Sequence, residues 1–210
     1  MMNLKAKITL SDKERSILMD TDWILLKQSI IQKVYELFSN ASMAINSLFE
    51  INNLDKSLII KDPKIYKGEN YNQFPYVMLD YPRLFGKKDV FAIRTMFWWG
   101  NFFSITIHLS GKYKSLINIK QLANDNNLRN ELYICVNENQ WEHDFNEDNY
   151  RLLKNFSKEE LLQHINEKDF IKIAIKFDLE NWDSIPDLLE GGYKLMAELL
   201  INFPDDGKDL

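Results

Sequence analysis

Residues 75–111, PYVMLDYPRLFGKKDVFAIRTMFWWGNFFSITIHLSG, decide the fold. The runs 89–99 and 102–110 are dense in aromatic and β-branched residues, and only Gly100-Asn101 separates them. A Gly-Asn link predicts a type II′ hairpin turn, because glycine takes positive φ at the first central position without steric penalty. That turn implies a register in which Trp99 faces Phe102, Trp98 faces Phe103, Thr95 faces Thr106 and Arg94 faces Ile107. Side chains alternate between faces. One face is then expected to carry Val90, Ala92, Arg94, Met96 and Trp98 with Phe103, Ile105, Ile107 and Leu109. The other carries Phe91, Ile93, Thr95, Phe97 and Trp99 with Phe102, Ser104, Thr106, His108 and Ser110.

Arg94 is the one charge on an otherwise apolar face, and a buried guanidinium needs a partner. Asp80 ends the preceding strand, 76–81, and can meet Arg94 in a bidentate ion pair if the two strands are neighbours. Asp80, Tyr81, Arg83, Arg94 and His108 are therefore the ligand-binding candidates, with Arg94 gripping a small carboxylate or phosphate and His108 acting as acid or base. The competing reading is a structural ion pair that sets strand register. In the register above, Arg94 and His108 point to opposite faces, which weakens an enzymatic reading. At the hairpin tip Trp98, Trp99, Phe102 and Phe103 cannot all enter one core, since they alternate in pairs. They need cover from an internal helix, a ligand or a partner, and are the interface candidates for self-association through the hairpin.

Outward from the hairpin, apolar residues recur at helical spacing from Trp23 through Leu26, Ile30, Val34, Leu37, Ala41, Ile45 and Leu48. The stripe is wide, as in a helix that covers a sheet or also touches a partner. Ser39-Asn40 is a possible break. A capping box, Ser11 with Glu14, starts a short helix before it, and Ser157 with Glu160 starts another later. Residues 57–61 and 65–67 read as short strands, 119–130 as a weak helix or loop, and 132–136 as a strand. The segment 137–150 holds five acidic residues and no Lys or Arg, and reads as a solvated loop. Glu142-His143-Asp144 lies within it without the convergence that a metal site needs. In 170–179, Ile171, Ile173, Ile175 and Phe177 form a buried face and Lys172, Ala174 and Lys176 a wet one. His164 falls in a charged helix and is expected to be exposed. Ser184 and Pro186 open a last helix containing Gly191-Gly192, which is expected to pack closely on the sheet. The tail 204–210 is polar.

These elements make one α+β domain over 1–210: a helical segment 1–50, a strand-rich centre 57–111 with its 89–110 hairpin, then strand, helix, strand and helix over 131–203. Its sheet is expected to be largely antiparallel, of five to six strands, packed by N-terminal and C-terminal helices. The net charge of −5 disfavours nucleic acid as a partner. No 18-residue apolar stretch exists to span a membrane, and residues 1–16 lack the apolar run of a signal peptide. The single cysteine, Cys135, excludes an intramolecular disulfide and reads as a small core residue in a cytoplasmic protein. No phosphate-binding glycine loop, nucleophile elbow or zinc-protease motif occurs. The composition thus implies no cofactor and no metal, and favours a non-catalytic binding or protein-interaction module over an enzyme.

Overall fold

The computed structural model describes residues 8–201, so the tail 204–210 lies outside the described residues. Its centre is a seven-stranded, wholly antiparallel sheet in the order β1-β2-β3-β4-β7-β5-β6. The strands are β1 (Lys64–Tyr71), β2 (Phe74–Phe85), β3 (Val90–Trp98), β4 (Phe102–Ser110), β5 (Tyr133–Cys135), β6 (Tyr150–Leu152) and β7 (Phe170–Asp178). The helices are α1 (Asp12–Met19), α2 (Thr21–Ile51), α3 (Ile119–Asn124), α4 (Asn126–Glu131), α5 (Lys158–Glu167) and α6 (Ile185–Glu198). Both capping boxes form, at Ser11 and at Ser157. α2 runs unbroken through Ser39-Asn40, and residues 56–59 are a 3-10 turn rather than a strand. Residues 119–130 become two short helices, each begun by an Asn or Asp cap.

The hairpin register differs from expectation by one residue. The Asn101 N–H donates to the Trp98 carbonyl (3.0 Å), which puts Gly100 third in the turn with φ +72°. Positive φ at that position is the type II requirement. Three residues therefore separate the last pair, Trp98 with Phe102, and Arg94 faces Thr106, not Ile107. Because side chains alternate, this shift exchanges the faces of β4 relative to β3. Phe91, Ile93 and Phe97 now align with Phe103, Ile105, Ile107 and Leu109, and this face, apolar but for Thr95, packs under α2 and α6 in the main core. Arg94 joins Thr106 and His108 on the opposite face.

Close packing fixes the helical layer. A Cβ on Gly192 would come within 2.7 Å of Ile105 Cδ1 and 3.2 Å of Phe177 Cζ, so α6 approaches the sheet through that glycine. Gly191 faces open space. The Thr95 and Tyr193 hydroxyls pair at 2.6 Å and satisfy the polar groups that this interface buries.

Candidate functional site

The second face of the sheet holds the candidate polar residues. Pro82 offers no N–H to the β2–β3 ladder, and the register shifts there: Asp80 faces Arg94, while Arg83 faces Ala92. Tyr81 follows Val77 and Leu79 into the helical core by ordinary alternation, and its hydroxyl donates to Asn46 of α2. Asp80 stays on the other face with Arg94. Arg94 Nε and Nη2 donate to Asp80 at 2.6 and 3.0 Å, which is the expected bidentate pair. Arg94 Nη1 donates to His143 Nε2 at 3.0 Å, so all three guanidinium nitrogens are held by protein groups. These bonds take three of its five N–H donors. Arg83 turns away, with Nε donating to the Asp62 carbonyl at 2.6 Å.

His108 sits diagonally from Arg94 on the same face, contrary to the sequence-based register. Its Nε2–H donates to Gln140 Oε1 at 2.8 Å. Burial, with Lys172 next in weight, pushes the imidazole down to about 3. His143 is likewise lowered, by burial first and by Arg94 second, and remains neutral to accept from Arg94. Lys172, expected on a wet face, is fully buried. Its ammonium donates to the Glu142 carbonyl and lies 5.1 Å from the Tyr150 ring centre. Burial lowers its pKa to about 8. The Tyr150 hydroxyl is buried beside the Thr106 side chain, without a hydrogen bond of ordinary geometry among the described residues.

What covers this face is the segment 137–149, expected to be a solvated loop. Asx turns order it: Asn139 N–H donates to Asn137 Oδ1 (2.7 Å), Trp141 N–H to Asn139 Oδ1 (3.1 Å) and Asn146 N–H to Asp144 Oδ1 (3.1 Å). The Tyr71 hydroxyl accepts from the His143 and Asp144 N–H groups at 2.7 and 3.0 Å. Phe145 stacks on Tyr150 at 4.6 Å, and Trp141 packs edge-on against His108 at 5.3 Å. The signal in the sequence was Trp141 and Phe145, two large aromatics one helical turn apart in an otherwise acidic run. His164 also departs from expectation, since its Nε2 is 2.9 Å from the Cys135 carbonyl. Among the described residues, no three of His, Cys, Asp and Glu converge as metal ligands would.

The hairpin-tip aromatics find their cover inside the chain. Trp98 packs between Tyr71 (5.3 Å), Phe74 (6.2 Å) and Phe102 (5.3 Å), and its indole N–H donates to the Tyr71 carbonyl. Phe102 also meets Phe145. Phe103 lies in the main core against Phe38 and Trp182, and Trp99 is half-buried against Phe97.

The exposed apolar surface lies at the other end of the chain. No residue of α1 is buried, and the buried residues of α2 begin only at Val34. Asp20 closes one helix and caps the next, with Oδ1 accepting from Trp23 N–H at 2.9 Å. The arm so formed shows Leu18 at 71%, Met19 at 76%, Leu25 at 61% and Leu26 at 64% exposure, with Ile17, Trp23 and Ile24 beside them. The Lys27–Glu69 ion pair (2.6 Å) ties the arm to β1. The wide helical stripe carried this signal. No described helix is long and apolar enough to cross a membrane. Comparison with family models, with curated proteins and with solved structures finds no match.

Proposed function

We propose that this protein is a cytoplasmic, non-catalytic interaction module that self-associates through the arm formed by α1 and the first turns of α2. The observation that carries the reading is the run of exposed apolar side chains from Ile17 to Leu26. Seven large apolar side chains exposed within ten residues exceed the scattered single exposures of ordinary surface, which favours an interaction site. The seven side chains together expose on the order of 800 Å². If two facing copies covered two thirds of it, about 1,000 Å² in total would be buried, the threshold for a specific interface.

A second copy suits the arm's charge better than other occupants do. Asp12, Glu14, Asp20 and Asp22 stand against Lys13 and Arg15, with Lys27 held by Glu69, so two copies related by a two-fold axis can set opposite charges face to face. The same excess of acidic groups offers an anionic membrane surface little attraction. Arg94, by contrast, already has its partners, which favours the structural role for its ion pair.

Sedimentation equilibrium tests the proposal on the full chain and on Leu18→Glu/Leu26→Glu. Both positions are exposed, so the double variant keeps the monomer fold. The expected result is a dimer that the variant converts to a monomer with unchanged circular dichroism. A monomeric wild type at tens of micromolar, or a variant that still dimerises, overturns the proposal.

A further inference from the structure

A separate cleft opens on the sheet face away from α2, between the β2–β3 turn and the covering segment. Its volume is about 470 Å³, and Gly86, Lys87, Lys88, Gln140, Trp141 and Phe170 line it. Small-molecule sites span roughly 300–1,000 Å³. Trp141 stands at its edge, 47% exposed, although its neighbours His143, Asp144 and Phe145 turn inward. His108 at 5.3 Å and Phe85 at 6.1 Å back the indole and hold it in place. A rigid aromatic with open surface beside a cleft is a stacking platform.

The polar wall is cationic. Lys87 and Lys88 are exposed and form no ion pair among the described residues. Their turn is fixed by Gly86 N–H donating to the Asp89 carbonyl (2.9 Å) and Ser110 Oγ–H donating to the Lys88 carbonyl (2.7 Å). Asp169 is the one carboxylate in the lining, against two lysines. His108 beneath adds no charge, because its neutral imidazole is held by Gln140. We propose that this cleft binds a small planar aromatic anion, its ring on Trp141 and its acidic group at Lys87 and Lys88. No residue of the arm takes part, so this site stands or falls independently of dimerisation.

The test is a titration of the full chain, labelled with ¹⁵N at its tryptophan indoles, followed by NMR. Adenosine 5′-monophosphate and indole-3-acetate serve as phosphate and carboxylate probes, with adenosine and indole as their neutral counterparts. At least one anion is expected to shift the Trp141 indole signal with a Kd below about 1 mM. Its neutral counterpart should bind at least about tenfold more weakly. Which anion binds identifies the acidic group that the cleft accepts. Lys87→Ala/Lys88→Ala should erase the preference for the anion, and Trp141→Ala, followed by isothermal titration calorimetry because it lacks the reporting indole, should abolish binding. The proposal is overturned if neither anion moves the Trp141 signal, or if the lysine variant binds the anion as wild type does.

Discussion

Replacing Arg94 with methionine removes the cation, keeps most of the apolar stem and leaves the Asp80 carboxylate buried. Asp80 is 3% exposed, and its remaining side-chain donor is the Tyr66 hydroxyl at 3.1 Å. His143 loses the donor to its Nε2 at the same time. Breaking a buried pair by removing one partner costs about 3–5 kcal/mol, chiefly through the stranded charge. For a domain of this size each kcal/mol moves Tm by about 2–4 °C, so a fall of roughly 6–20 °C is expected. Urea unfolding followed by circular dichroism reads the same loss as a lower midpoint with unchanged slope. The double variant Asp80→Asn/Arg94→Met should be more stable than Arg94→Met alone, because the amide strands no charge. The reasoning is refuted if Arg94→Met lies within about 1 kcal/mol of wild type, or if the double variant is the less stable of the two.

Three further outcomes follow from the buried face and the helical layer. His108 and His143 have pKa values depressed in the folded protein, so below the ordinary histidine value of about 6.5 the unfolded chain binds protons that the native one refuses. Stability therefore falls as pH drops below about 6.5, by roughly 2 kcal/mol from His108 between pH 7 and pH 5, and His143 adds to the fall. Urea midpoints at those two pH values, compared with those of His143→Asn, measure it; equal pH dependence in the two proteins would contradict the assignment. Lys172→Met should stabilise the protein at pH 7 by about 1 kcal/mol or more, since it removes a buried cation that has no carboxylate within salt-bridge range among the described residues. A destabilised variant would show that the bond to the Glu142 carbonyl outweighs desolvation. Gly191→Ala should raise helix stability by about 1 kcal/mol, whereas Gly192→Ala should lower it by about 1–3 kcal/mol by forcing Ile105 and Phe177 aside. Thermal melts that rank the two variants the other way would contradict the packing of α6.

The antiparallel α+β architecture, both capping boxes and the Asp80–Arg94 pair were legible because each is encoded locally or between neighbouring strands. The hairpin register was not, because Gly100 serves either as the first central residue of a two-residue turn or as the third residue of a type II turn. Apolarity discriminates between them: only the shifted register sets Phe91, Ile93 and Phe97 beside Phe103, Ile105 and Ile107. That one residue also determines whether Arg94 and His108 can share a face. Covering the second face required tertiary information, since the Asn- and Asp-rich composition of 137–149 suits Asx turns on a protein surface as well as in solvent. Lys172 looked wet for the same reason, as its strand alternates cleanly and nothing local announces a segment above it. The exposed arm was visible as a wide stripe, but only the position of Val34 as the first buried residue of α2 shows where core ends and free surface begins.

Self-association through the arm is the central claim, and native mass spectrometry of the full chain at tens of micromolar tests it most directly. The account expects a dimer that Leu18→Glu/Leu26→Glu reduces to a monomer. A wild-type protein that is monomeric throughout, or a dimer that survives those two substitutions, would contradict it.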